Sequence, residues 1–332
     1  MLFSNKVIFV LSFWSFTIIA HAQQIGKKTI IDPFNYSIQK DFSGSNGSVV
    51  CAHPLAAKVG VDILKQRGNA VDAAIAVQLA LAVVYPDAGN LGGGGFMVAR
   101  MANGKAIALD FREVAPDKAS EDMYLDKATG KANLALSQSG RLAAGVPGTV
   151  AGIFAAMKYA KLPFRALIQP AIELAGHGFV ITQREADNLN NTAKEFEENN
   201  ASLPALLRKN GRWKAGDTLI QKELARTLTR IRDNGVKEFY EGETAKLIVN
   251  EMQRGGGIIS LHDLKNYKVK ATEPCEFDYK GYHIITMPLP SSGGVLLQQM
   301  LKMLEHRPLQ QYGFETVRSV QLYSARDKKV IC

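Results

Sequence analysis

The chain has 332 residues, of which 46% are hydrophobic and 21% are charged, enough to bury one large core or two modest ones. Its formal net charge is +9, but the basic residues are scattered and interleaved with acidic ones, as in residues 194–198, and there is no arginine-rich arm or RNA-binding aromatic strand. These features indicate a globular protein with a mixed surface and argue against a nucleic-acid partner.

The N-terminal residues 1–22 have the pattern of a signal peptide. Lys6 is followed by an apolar run over residues 7–20, and Ala20-His21-Ala22 offers small residues at both positions of a cleavage site. The run is short for a membrane span, and no other apolar run is long enough to be one. We predict export to the periplasm or the medium, no membrane segment after cleavage, and an N-terminal segment over residues 23–47.

Two helices are predicted next. Pro54 suits a first helical turn and Gly68 a stop, and Asn69 can cap a second helix. Residues 70–84 are almost all Ala, Val, Ile and Leu apart from Asp72 and Gln78. A helix that is apolar on nearly every side belongs in the core.

A glycine run over residues 92–95 follows, where positive φ angles and close backbone approach are available. Residues 95–101 and 105–112 resemble strands, and the Asn103-Gly104 pair between them predicts an antiparallel hairpin. Arg112 stands at the end of the second strand. It either pairs with neighbouring Asp110 or Glu113, or presents its planar fork to a ligand carboxylate while the bare backbone lets that ligand come close.

The remaining pattern is mixed helix and strand. Helical periodicity occurs in residues 149–159, 166–175 (with Gly176 as a C-cap), 183–198, 221–233, 243–254 and 295–304, and a β unit occupies residues 267–287 with a turn at Lys280-Gly281. No repeat or long linker interrupts the chain. The simplest description is one α+β domain.

Common catalytic signatures are absent from this sequence. There is no zinc-protease, dinucleotide, P-loop or nucleophile-elbow motif, and the histidines lack metal-ligand spacing, so we assign no metal and no cofactor. Ser291 and Ser292 precede an apolar helix, which favours capping over catalysis. Of the three cysteines, Cys51 fits a small buried thiol at the end of a strand-like run over residues 48–52. Whether Cys51 and Cys275 pair stays open.

Several motifs, taken together and in order, resemble those of gamma-glutamyltranspeptidases, and the resemblance runs from about residue 49 to about residue 322. They are A-H-P-L-A (52–56), G-N-A-V-D-A-A (68–74), G-N-L-G-G-G-G-F-M (89–97), D-F-R-E (110–113), G-V-P-G-T (145–149) and P-S-S-G-G (290–294).

The resemblance implies an N-terminal-nucleophile hydrolase with an αββα sandwich, of which residues 48–322 would form the large-subunit part. In that family one precursor cleaves itself, and the new N-terminal threonine of the small subunit attacks γ-glutamyl amides such as glutathione and passes the acyl group to water or an amine. The arginine of D-F-R-E holds the substrate α-carboxylate, which assigns that role to Arg112. We assign no catalytic residue in this chain.

The C-terminal residues 323–332 depart from the family pattern, which continues there in a long helix and then in a threonine-led small subunit. We expect a divergent tail from a frameshift or early stop, and a chain that is inactive without the small subunit. Two other functions stay open: a β-lactam or glutaryl acylase on the same scaffold, and a non-catalytic binder of γ-glutamyl ligands.

Overall fold

The computed structural model describes residues 43–200, 204–208, 211–313 and 316–331. The predicted signal peptide and most of the segment over residues 23–47 lie outside the described residues. The α-helices are α1 (Pro54–Lys65), α2 (Ala70–Val84), α3 (Leu134–Gln138), α4 (Thr149–Ala156), α5 (Phe164–His177), α6 (Gln183–Asn191), α7 (Ala193–Asn199), α8 (Lys222–Asn234), α9 (Val236–Tyr240), α10 (Glu243–Arg254), α11 (Leu261–Asn266), α12 (Ser292–Leu304) and α13 (Val317–Ile331). The strands are β1 (Phe96–Arg100), β2 (Ala106–Asp110), β3 (Phe179–Val180), β4 (Thr218–Leu219), β5 (Lys270–Thr272), β6 (Cys275–Tyr279) and β7 (Tyr282–Thr286). This mixture confirms the predicted α+β class.

Helices α1 and α2 begin where the sequence predicts. The Asn69 side chain accepts the Val71 and Asp72 N–H groups, and the Asp72 carboxylate accepts the Asn69 N–H at 2.7 Å, which completes a capping box. Most side chains of α2 are buried, as expected for a helix without a polar face. Helix α2 packs against α1 on one side and α5 on another, which places it in the core.

The histidine before α1 has a structural role that its isolated position in the sequence did not reveal. His53 is buried, its Nδ1 accepts the Leu55 N–H at 3.2 Å, and its Nε2 lies 2.8 Å from Glu185 Oε1. Burial raises the pKa of Glu185, but hydrogen bonds from His53 and Thr182 outweigh it and leave that pKa below its ordinary value. This contact joins the start of α1 to the start of α6.

The hairpin predicted after the glycine run is confirmed. Strands β1 and β2 are antiparallel, with Phe96 opposite Asp110 and Arg100 opposite Ala106. Strand β2 also pairs with β5, with Asp110 opposite Lys270, so the sheet order is β1-β2-β5. The β unit predicted over residues 267–287 therefore divides: β5 joins the hairpin, while β6 and β7 form a separate pair. Long-range pairing of this kind leaves no local sequence signal.

Three local predictions are wrong. Residues 183–198 form two helices that are interrupted at Thr192, whose hydroxyl donates to the Asn188 carbonyl at 3.0 Å. Helix α5 runs through Gly176 to His177, and Gly178, with φ of 84°, takes the C-cap position. Residues 48–52 form no strand, and Cys51 is half-buried rather than buried. Cys51 and Cys275 are both free thiols.

Helix α13 spans the boundary predicted between the domain and a divergent tail. Its backbone is helical from Val317 to Ile331 without a break at residue 323. Within the described residues, no helix is both long enough and apolar enough to cross a membrane.

A buried carboxylate in α2 supports the core. Asp72 is fully buried, and besides the Asn69 N–H it accepts the N–H groups of Lys161 (3.0 Å) and Leu162 (2.9 Å). These two residues belong to the turn that leads into α5. One side chain therefore caps its own helix and fixes the start of another.

We expect Asp72→Asn to lower the free energy of unfolding by about 2 kcal/mol or more, because an amide NH2 would face backbone N–H groups that then lose their buried acceptor. Urea denaturation of both proteins measures the difference. The control is Asp62→Asn, at a side chain that is 42% exposed and paired with Lys58, where we expect a loss below about 0.5 kcal/mol. Equal losses in the two variants would contradict the assignment.

Candidate substrate-binding site

Arg112 lies two residues beyond the end of β2, on the surface. Its backbone N–H donates to Asp110 Oδ1 at 3.0 Å, so the Asp110 carboxylate binds the arginine backbone rather than its side chain. Among the described residues, the guanidinium group makes no ion pair and no hydrogen bond, and it lies 5.8 Å from the centre of the Phe96 ring. The sequence allowed the Arg112 side chain to form an ion pair with Asp110 or Glu113. The structure shows no such pair among the described residues.

The glycine run serves packing more than conformational freedom. None of Gly92, Gly93, Gly94 and Gly95 has a positive φ, contrary to expectation. A Cβ on Gly94 would lie 2.6 Å from the Phe111 carbonyl oxygen and 2.7 Å from the Arg112 Cα, and one on Gly95 would lie 2.9 Å from the Phe111 ring. Only a residue without a side chain permits this approach. A Cβ on Gly92 would meet nothing within 4 Å.

Of the four glycines, Gly92 alone has open space where a side chain would be, so only there could a ligand approach the bare backbone. Gly93 is held from both sides: its N–H donates to Asn90 Oδ1, and its carbonyl accepts the Gly148 and Thr149 N–H groups at 2.7 and 3.0 Å. The Thr149 hydroxyl also donates to Asn90 Oδ1 at 2.8 Å. The run therefore locks the start of α4 onto the loop that follows α2.

A second pair of glycines packs closely against the same segment. A Cβ on Gly148 would lie 2.1 Å from both the Phe111 carbonyl oxygen and the Tyr267 hydroxyl, and one on Gly152 would lie 2.3 Å from the Phe111 ring. The D-F-R-E segment is therefore in close contact with two glycine segments that are far apart in the sequence. Its main chain is fixed, while the Arg112 side chain projects free of them.

A small cavity of about 190 Å³ opens beside Arg112. Its lining carries three cationic and two anionic side chains, and it brings the D-F-R-E and P-S-S-G-G motifs to one place. The lining residues are Asp110, Arg112, Glu113, Val114, Tyr267, Lys268, Lys270 and Pro290. Within the described part of the chain, neither Lys268 nor Lys270 forms an ion pair, so the excess positive charge favours an anionic ligand.

Sequence reasoning missed several residues of this cavity, and Tyr267 is the one that contacts Arg112 directly. Its hydroxyl donates to the Arg112 carbonyl at 2.8 Å, and its ring stacks on that of Tyr240 with centroids 5.8 Å apart. Burial, together with the nearby Asp110 and Glu113 carboxylates, raises the pKa of Tyr267 to about 12. No sequence signal connects Tyr267 with Arg112, because 155 residues separate them.

The other candidates of the sequence do not line this cavity. Ser291 occupies the N-cap position of α12, but its side chain makes no capping hydrogen bond. Of the residues described, no three histidine, cysteine or acidic side chains converge as metal ligands would. A larger cavity, of about 380 Å³, lies between the loop after α2 and helices α6 and α7. Its lining includes Asp87 and Glu195 but no lysine or arginine, so it offers a carboxylate no counter-charge.

Comparison with known proteins identifies the family. A sequence profile of gamma-glutamyltranspeptidase matches residues 56–328. The chain belongs to this family. It is 46% identical over 284 residues to the glutathione hydrolase proenzyme of Pseudomonas sp. (strain A14), which covers 85% of this chain and 49% of that protein. The chain spans about half the length of the curated relatives it matches.

Solved structures agree with the sequence match. The crystal structure of Helicobacter pylori gamma-glutamyltranspeptidase superposes with a TM-score of 0.85 at 43% identity, covering 88% of this chain and 84% of that one. The predicted family and its fold class are therefore confirmed. A more distant relative is the acylase ACY 1 proenzyme of Pseudomonas sp. (strain V22), 36% identical over 291 residues, which covers 86% of this chain and 52% of that protein.

The glycine run offers a matched pair of substitutions. We expect Gly94→Ala to lower the free energy of unfolding by about 1–3 kcal/mol, because the new methyl group overlaps the Phe111 and Arg112 backbone. Gly92→Ala, two residues away and with open space around it, should change stability by less than about 0.5 kcal/mol. Urea unfolding of the two variants checks this. A Gly92→Ala loss as large as that of Gly94→Ala would refute the close-packing explanation.

Proposed function

We propose that this chain is the large-subunit part of a gamma-glutamyltransferase and glutathione hydrolase, and that Arg112 binds the α-carboxylate of the γ-glutamyl group. The observation that carries the proposal is the Arg112 guanidinium, which has no ion-pair or hydrogen-bond partner among the described residues although its main-chain N–H and carbonyl are both hydrogen-bonded. It lies in D-F-R-E, the motif that the family match includes.

The chemistry of the site fits a substrate of this class. Arginine is always protonated and offers parallel N–H donors that match the two oxygens of a carboxylate. Lys268 and Lys270 add positive charge at the same cavity. A γ-glutamyl compound carries its α-carboxylate several bonds away from the scissile amide. Arg112 would therefore anchor the substrate without touching the reacting carbonyl, which makes it a binding group.

The proposal leaves the covalent step to a small subunit derived from the same precursor. There the N-terminal threonine would attack the γ-glutamyl carbonyl with its own amine as base, release the amine of the donor, and transfer the acyl group to water or to an acceptor amine. The naming of relatives as proenzymes supports a processed precursor. The proposal also includes export, directed by residues 1–22.

An acylase function is the second candidate, and the relationship to acylase ACY 1 supports it. The difference in identity, 46% against 36%, favours glutathione hydrolase. The two donor classes differ at one group: a glutaryl group keeps a carboxylate at the position of the γ-glutamyl α-carboxylate but lacks the α-amine. Comparing glutathione with a glutaryl amide as donors separates them.

We expect Arg112→Lys to raise the KM for glutathione at least tenfold with little change in kcat, because a point charge cannot replace a bidentate fork. The measurement is steady-state hydrolysis by the protein that contains this chain and its small subunit. The control is Arg100→Lys, at an exposed arginine on the neighbouring strand, where KM should change less than twofold.

Three outcomes would count against the proposal. An unchanged KM in Arg112→Lys would remove the arginine from the binding site. A wild-type protein that hydrolyses the glutaryl amide but not glutathione would favour the acylase. Stabilisation by glutathione without any turnover would instead indicate a non-catalytic binder.

A further inference from the structure

The main chain at Arg112 is held by groups that come from one distant segment, residues 260–270. Asp110 in β2 is opposite Lys270 in β5, and the Arg112 carbonyl accepts the Tyr267 hydroxyl at 2.8 Å. Further along, the Asp117 N–H donates to Asp263 Oδ1 at 2.7 Å. The D-F-R-E segment and the residues after it are thus attached at three points to a segment about 150 residues away.

Of these attachments, the one from Tyr267 reaches the arginine itself. The Arg112 N–H is already taken by the Asp110 carboxylate, and Gly94 packs on the Arg112 Cα. The Tyr267 hydroxyl satisfies the remaining backbone group, the carbonyl. These contacts fix the peptide planes on both sides of Arg112, and therefore the direction in which its side chain leaves the main chain.

The tyrosine is itself held in place. Its ring lies nearly parallel to that of Tyr240, with an interplanar angle of 10°. The Tyr240 hydroxyl donates to the Pro147 carbonyl at 2.9 Å and accepts the Ala151 N–H at 3.2 Å, which ties this ring to the start of α4. Burial raises the pKa of Tyr240 well above its ordinary value, so its hydroxyl remains a donor. A hydrogen-bonded aromatic pair thus links α4 to the Arg112 main chain.

We propose that Tyr267 is a positioning residue for substrate binding, which aims the Arg112 guanidinium at the donor carboxylate through its hydrogen bond to the Arg112 carbonyl. This inference rests on the proposed function. Because Tyr267 would act on an interaction that is present both before and during the reaction, its loss should weaken binding and leave the chemical step unchanged. The hydroxyl stays protonated at any usual assay pH, since the pKa of Tyr267 is about 12.

The test is Tyr267→Phe, which keeps the stacked ring and removes the hydroxyl. In the protein that contains this chain and its small subunit, we expect the KM for glutathione to rise about three- to tenfold, the scale of one lost hydrogen bond. We expect kcat to stay within about twofold and the pH profile of kcat to be unchanged. The matched control is Tyr282→Phe, at a tyrosine that is 71% exposed, for which both constants should equal those of the wild type.

Two further measurements separate positioning through Arg112 from a general loss of structure. In the Arg112→Lys background, Tyr267→Phe should raise KM little further, because the guanidinium group that Tyr267 positions is no longer present. The second uses L-γ-glutamyl-p-nitroanilide and 4-aminobutyryl-p-nitroanilide, which lacks the α-carboxylate. The ratio of their kcat/KM values does not depend on the fraction of folded enzyme, and it should fall three- to tenfold in Tyr267→Phe.

The outcomes are distinguishable. If wild-type protein hydrolyses glutathione and Tyr267→Phe leaves both KM and the anilide ratio unchanged, the inference is wrong while the proposed function stands. A fall in kcat with unchanged KM, or fully additive effects in the double variant, also overturns it. If the wild type neither binds nor hydrolyses any of the γ-glutamyl compounds, the proposed function fails and the inference fails with it.

Discussion

The candidate site depends on the close contact between glycine backbone and the backbone of residues 111–113. Gly94 and Gly148 approach the Phe111 carbonyl so closely that no side chain fits between them. Protein interiors are packed as densely as organic crystals and have low compressibility, so atoms in such close contact can shift very little. Arg112 therefore has a fixed main chain without using its guanidinium for its own support. An unpaired guanidinium on a fixed main chain can bind a carboxylate with a smaller loss of conformational entropy.

This contact is itself supported by the helical core. Helix α2 ends at Val84, and the loop that follows brings Asn90 to accept from both Gly93 and Thr149. At the same end of the helix, the buried Gln221 side chain donates to the Val83 carbonyl at 2.7 Å. At the other end, the Asp72 carboxylate holds Lys161 and Leu162. Buried polar groups that are fully hydrogen-bonded specify one arrangement of the elements around them.

Charge is distributed differently in the core and at the site. Buried ionisable groups such as Asp72 and Glu238 have all their partners within the protein, Glu238 accepting from Arg230 and Thr244. Beside the cavity, the side chains of Arg112, Lys268 and Lys270 form no ion pair with any described residue, and the Arg112 guanidinium lies over the Phe96 ring. A solvent-exposed cation can bind an anion at a small desolvation cost, whereas a cation already paired inside the protein would first have to break that pair, at a large cost in free energy. The arrangement therefore suits binding.

The sequence by itself determined the family, the α+β class, helices α1 and α2 with their starts, and the β1-β2 hairpin, because caps, periodicity and an Asn-Gly turn are local signals. It also singled out Arg112, through the D-F-R-E motif. Only the tertiary structure revealed the packing role of the glycines, since Gly94 and Gly148 contact Phe111 from positions 17 and 37 residues away. The pairing of β5 with β2, the partner of His53 and the hydrogen bond from Tyr267 to Arg112 were likewise decided by packing. Contacts between residues 130 or more positions apart leave no periodic trace in one sequence, because they depend on how whole elements meet.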